Sequence, residues 1–160
     1  MKDDVQVIEY FDGTKIWYKD DKGHREGGPA IERANGDKFW CKNGKPHRDD
    51  GPAIVFKDGT KVWYNDGVCQ RDDGPAIEHP NGDKIWKKDG KTHRYPGPAV
   101  ELASGYIAYY YKGVLFWHGY LFKSLPGDDW DLPERDLKKS ISSITRRCRE
   151  ILKSCFFNSK

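Results

Sequence analysis

The sequence predicts a mainly β protein with a C-terminal α-helix: an elongated sheet of antiparallel β-hairpins with a 23-residue period. Three observations carry that expectation. Gly-Pro-Ala recurs at Gly28-Pro29-Ala30, Gly51-Pro52-Ala53, Gly74-Pro75-Ala76 and Gly97-Pro98-Ala99, each 23 residues from the last, and Trp17, Trp40, Trp63 and Trp86 keep the same interval. Asn-Gly or Asp-Gly turns come twice per unit, at Asp12-Gly13, Asn35-Gly36, Asp58-Gly59 and Asn81-Gly82, then at Asn43-Gly44, Asp66-Gly67 and Asp89-Gly90. Beyond residue 130 the apolar residues change to helical spacing.

Each unit reads as strand, tight turn, strand, turn and longer link. In the second unit the strands are expected near Ala30 to Ala34 and Lys38 to Lys42. Asn-Gly and Asp-Gly favour type I′ turns, because both central residues take positive φ. If Asn35-Gly36 is such a two-residue loop, Trp40 pairs with Ile31 and Phe39 with Glu32, and Trp shares a face with Ile31, Ile54, Ile77 and Val100. A turn with a bulge would change that pairing. Proline at the start of a strand is tolerated, since no ladder donor is lost there.

The fifth unit, from about residue 105 to 122, loses His-Arg and Gly-Pro-Ala and gains aromatics: Tyr106, Tyr109, Tyr110, Tyr111, Phe116 and Trp117. Terminal repeats are atypical because they close an open end, so a capping unit is expected, with a partner surface as the alternative. The array is therefore assigned to residues 1–122, and 123–160 to a linker and helix. Asp131 and Glu134 fit a capping box with Pro133 in the first turn. Leu137, Ile141, Ile144, Cys148, Ile151 and Cys155 then form one apolar stripe, opposite Lys138, Lys139, Arg146, Arg147, Arg149 and Lys153. Three destinations are open to such a helix: the aromatic fifth unit, a second copy in a coiled coil, or a partner groove or anionic membrane.

Composition narrows the function. The 160 residues are 36% hydrophobic and carry net charge +3. Residues 131–160 hold 8 Lys/Arg against 4 Asp/Glu, so the positive excess sits in the tail and the repeats are near neutral. A near-neutral array argues against a basic groove for nucleic acid, although Trp stacking and the basic helix keep nucleic-acid binding as a second reading. Cys41, Cys69, Cys148 and Cys155 form no Cys-x-x-Cys pair, and no secretory signal or membrane span is read, so a reduced cytoplasmic setting is expected.

Candidate chemistry lies in His47-Arg48-Asp49-Asp50, yet His-Arg recurs at His24-Arg25 and His93-Arg94, with Gln70-Arg71 in the remaining unit. A catalytic constellation is normally single. The kinase loop that His-Arg-Asp suggests lacks its metal-binding Asn, and there is no glycine-rich phosphate loop. The four arginines are instead expected to form a charge ladder with link aspartates and loop carbonyls, with Gly51 supplying a turn conformation closed to other residues. His79 and His118 stand alone. No catalytic, metal-binding or cofactor-binding residue is expected, and no cofactor.

The segment from Trp40 through Asn43-Gly44-Lys45-Pro46-His47, followed by Asp50-Gly51 and Asp58-Gly59, resembles a MORN-type repeat over roughly residues 7–113. It is also similar to the MORN-2 variant of the YwqK antitoxin-like family. Arg25, Arg48, Arg71 and Arg94 depart from that pattern, standing where a second Gly is usual. The resemblance implies a thin β-hairpin array that binds proteins or lipids. The expectation is a non-enzymatic protein-binding module that neutralises or inhibits a target, in an antitoxin-like or phage counter-defence role. The expected contact residues are Trp40, Trp63, Trp86, Tyr109, Tyr111, Trp117, Arg146, Arg147 and Arg149. Membrane association and homodimerisation through the helix are the remaining partner readings.

Overall fold

The computed structural model describes residues 5–120. The chain separates into two units, Met1–Leu121 and Phe122–Lys160, and the described residues belong to the first. The expected tail helix lies outside them.

Every strand pair is antiparallel, and the main sheet is a 12-stranded meander. It starts at Gln6–Glu9 and Lys15–Lys19, with Lys22–Gly23 as a side branch. Two short strands per unit follow, beginning with Ile31–Glu32 and Lys38–Phe39, and the sheet ends at Tyr106–Tyr111 and Val114–Tyr120. Each repeat also carries a separate two-stranded ribbon: Cys41–Lys42 with Lys45–Pro46, Tyr64–Asn65 with Val68–Cys69, and Lys87–Lys88 with Lys91–Thr92.

The two sets of Asx-Gly turns fold differently. In the ribbons Asn43 and Gly44 have φ of 52° and 79°, and Cys41 faces Pro46, so this is the expected two-residue turn with both central residues left-handed. In the main sheet only the glycine is left-handed: Gly36 has φ 95°, its N–H donates to Arg33 O at 2.9 Å, and Arg33 N–H donates to Asp37 O at 2.9 Å. That is a three-residue loop with a glycine bulge. The Asn35 side chain holds it by accepting from Asp37 N–H at 3.0 Å, as Asp12, Asp58 and Asn81 do from the residue two positions on.

The longer loop corrects the expected register. Ile31 faces Phe39, and Glu32 faces Lys38. One continuous row then crosses the sheet through Ile16, Ile31, Phe39, Ile54, Val62, Ile77, Ile85, Val100 and Ala108. From Ile31 to Ala108 all members are buried, each large one contributing about 1.5–3 kcal/mol relative to exposure. The adjacent row holds Glu9, Lys15, Glu32, Lys38, Val55, Lys61, Glu78, Lys84 and Glu101, with alternating charge broken only at Val55.

Tryptophan therefore does not share the Ile31 face. It occupies the junction where the chain passes from main sheet to ribbon. Trp40 N–H donates to Ala53 O at 2.8 Å in the next unit, while its C=O accepts from His47 N–H at 3.0 Å. Ala53 has no exposed surface, and neither have Ala30, Ala76 and Ala99, which accept from the other tryptophans.

Candidate partner-binding surface

The repeated His-Arg-x-x-Gly-Pro loop is a clamp on the tryptophan of its own unit. Cζ of Arg25, Arg48, Arg71 and Arg94 lies 3.9, 4.2, 4.1 and 3.9 Å from the ring centres of Trp17, Trp40, Trp63 and Trp86. Nη1 of Arg25, Arg71 and Arg94 donates to the carbonyls of Pro29, Pro75 and Pro98, and to Glu32, Glu78 and Glu101 of the following strand at 3.2, 3.0 and 2.6 Å. Val55 replaces that glutamate in the second unit, where Arg48 Nε binds Asp50 at 2.7 Å. Arg71 makes both contacts, holding Asp73 through Nε at 2.7 Å. The hydrogen bond from arginine, reinforced by its charge, holds the Asp50 and Asp73 carboxyls below the ordinary value.

The expected pairing with a link aspartate is present at Arg48 and Arg71, the expected bond to a loop carbonyl at Arg25, Arg71 and Arg94, and the indole stack joins them at all four. The role expected of Gly51 is different: its φ is not left-handed, and what the position requires is space. A Cβ on Gly28, Gly51, Gly74 or Gly97 would lie 3.0, 3.2, 2.9 or 3.4 Å from the arginine Cζ. The preceding histidines are acceptors for a turn of the next unit. Nδ1 of His24, His47 and His93 accepts from the N–H of Asn43, Asp66 and Lys112 at 3.3, 3.1 and 3.2 Å. Gln70 substitutes because its Oε1 accepts from Asp89 N–H in the same way, at 3.1 Å.

Between successive loops the surface is recessed. Recesses of about 380 and 590 Å³ lie at the second and third units, and carboxylates of Asp49, Asp50, Asp72 and Asp73 line them. At the last unit the recess grows to about 870 Å³ and becomes aromatic. Arg94, Tyr95, Pro96 and Gly97 form one wall, and Tyr109, Tyr110 and Tyr111 the other. The cause is topological. In the fifth unit the chain does not leave to form another loop: Val114–Tyr120 runs back along Tyr106–Tyr111, with a bulge between Tyr109 and Tyr110. Counting 23 residues, Tyr109 stands where Trp86 does and Trp117 where Arg94 does, and these two face each other in the register. Among the described residues a strand stands where a fifth loop would have closed the cleft. Tyr95 is 83% exposed, and Tyr111, 46% exposed, rests edge-on against His93 at 5.0 Å.

Of the residues expected to meet a partner, Trp40, Trp63 and Trp86 are half-buried with one ring face under arginine. They do not form a bare stacking platform. Tyr109 and Tyr111 come together in the cleft. Trp117 lies on the last strand opposite Tyr109, while Arg146, Arg147 and Arg149 lie outside the described residues. Tyr95, Pro96 and Arg94 were not among the expected contacts, although the replacement of Asp-Asp by Tyr95-Pro96 in the fourth loop was a visible signal. Among the described residues no His/Cys/Asp/Glu group could hold a metal ion, and no helix is long and apolar enough to cross a membrane. No family model matches the chain, and no curated protein matches it.

Proposed function

We propose that this chain is a non-enzymatic, protein-binding repeat module of MORN type, whose partner docks on the aromatic cleft and is neutralised by being held there. The observation that carries this reading is the cleft itself: exposed Tyr95, Tyr109 and Tyr111 around about 870 Å³, where among the described residues a strand takes the place of a loop. Tyrosines supply large, stiff contact area and are enriched in binding hot spots. The recurrence of His-Arg through the array, with each member bound to the scaffold, supports an architectural rather than catalytic use of those residues. Nucleic-acid, membrane and self-pairing readings rest on the tail. The test is affinity capture of a partner, then calorimetry with purified proteins. Tyr109→Ala with Tyr111→Ala should weaken binding at least about tenfold, measured at a temperature where circular dichroism shows the variant folded. A partner that binds this double variant as tightly as the wild type would sink the proposal.

A further inference from the structure

Arg94 is the clamp residue whose internal carboxylate has been removed on the side that faces the cleft. In the second and third units the residue two positions after arginine is Asp50 or Asp73, bound to Nε at 2.7 Å. In the fourth unit that position is Pro96. Among the described residues Arg94 stacks on Trp86 and makes its hydrogen bonds only through Nη1, to Pro98 O and Glu101, and through its backbone N–H, to Tyr110 O. Pairing with Glu101 does not pre-empt Nε, since Arg71 holds Glu78 and Asp73 at once. Arg25 shares the missing aspartate, having Gly27 in its place, but its recess already carries Glu26, Asp49 and Asp50. Among the described residues the last cleft is lined by one cation, Arg94, by four tyrosines and by Pro96 and Gly97, with no carboxylate.

We infer that the cleft takes an acidic side chain of the partner, an Asp or Glu flanked by apolar residues, whose carboxylate binds Nε of Arg94 where Asp50 and Asp73 bind in the earlier units. This rests on the protein-binding reading above. The apolar flanks pack on Tyr95, Tyr109 and Tyr111, and the charge-assisted hydrogen bond in a partly dehydrated cleft fixes the register.

The experiment is selection of mRNA-displayed 12-residue peptides on the full-length chain. These peptides are fused at their C-termini, so only side-chain carboxylates are offered. Enriched sequences should share an Asp or Glu beside an apolar residue, and changing it to the amide should weaken binding about tenfold or more. Pro96→Asp, which restores the internal carboxylate, should weaken the same peptides by a similar factor. Pro96→Ala, which leaves Nε open, should bind within about twofold of wild type. Enriched peptides without an acidic residue, undiminished binding by Pro96→Asp, or equal loss from Pro96→Ala would each overturn the carboxylate assignment while protein binding stood. No enriched peptide at all, or peptides indifferent to Tyr109→Ala, would overturn the protein-binding reading as well.

Discussion

An alanine at Gly74 would place its Cβ 2.9 Å from Cζ of Arg71. The backbone there has no need of glycine, so the clash resolves by moving the guanidinium, which is the far end of a flexible side chain. The cost is then what the displaced group loses: the stack on Trp63 and the pairs with Asp73 and Glu78. These groups are partly solvated, so we expect Gly74→Ala to destabilise by about 1–2 kcal/mol. In an Arg71→Ala background the same substitution should cost almost nothing, a coupling that urea denaturation of the four proteins would measure. Acid should loosen two of the clamps. The Asp50 and Asp73 carboxyls are depressed from 3.8 in the fold, so their contribution is complete above that value and lost as pH falls through the depressed one. The urea midpoint should therefore fall less steeply in the Asp50→Asn, Asp73→Asn variant than in wild type as pH drops below the ordinary carboxyl value of 3.8. Both carboxylates are more than 80% exposed, so the difference in slope is small.

Hairpins are tied to one another through their turns. Asp37, buried at 5% exposure, accepts from Lys57 N–H of the next turn at 2.8 Å, and Asp83 does the same for Ala103. At the intervening position Pro80 has no N–H to offer, and Thr60 turns to His79 Nδ1 at 3.2 Å instead. Asp37→Ala should cost about 1–3 kcal/mol by orphaning that donor. Adding Lys57→Pro removes the donor, at a position where Pro80 already fits the turn, and should recover most of the loss in a thermal melt. Such links explain which turn features were legible. The dipeptide Asn-Gly is the same in both sets, and only the ribbon turns took the form it favours. Both sets are bonded between units, but in the ribbons the two turn residues themselves donate backward: Asn43 N–H goes to His24, and Gly44 N–H to Gly23 O. Those partners lie 19 and 21 positions back in the chain and leave no local mark. The arginine–aspartate pairs could be read from spacing, whereas the indole beneath Arg48 could not, because it required knowing that Trp40 sits at the bend between sheet and ribbon.

At the scale of the whole array, the 23-residue period, the antiparallel order and the atypical last unit were legible because one pattern repeats. The cleft was not, since it depends on a strand replacing a loop. If the units are interchangeable, excising residues 49–71 should leave a folded chain, because the cut joins Arg48 to Asp72 and rebuilds the loop. Its urea m-value should fall by roughly a fifth, in proportion to surface lost, and its cleft should bind as before. The buried row has a further consequence for how the chain finds its fold. Its rungs join residues alternately 8 positions apart, as Ile31 and Phe39, and 15 apart, as Phe39 and Ile54. Such short closures favour rapid folding for a β protein, with a nucleus able to start in any unit. Skipping a whole repeat would lengthen the larger closure to only 38 positions, a penalty of about 0.8 kcal/mol. Chain entropy is thus too weak to enforce the order of the rungs. What enforces it is that a looped-out repeat forfeits every buried side chain it would have added, so fidelity of assembly rests on apolar burial in each unit taken singly.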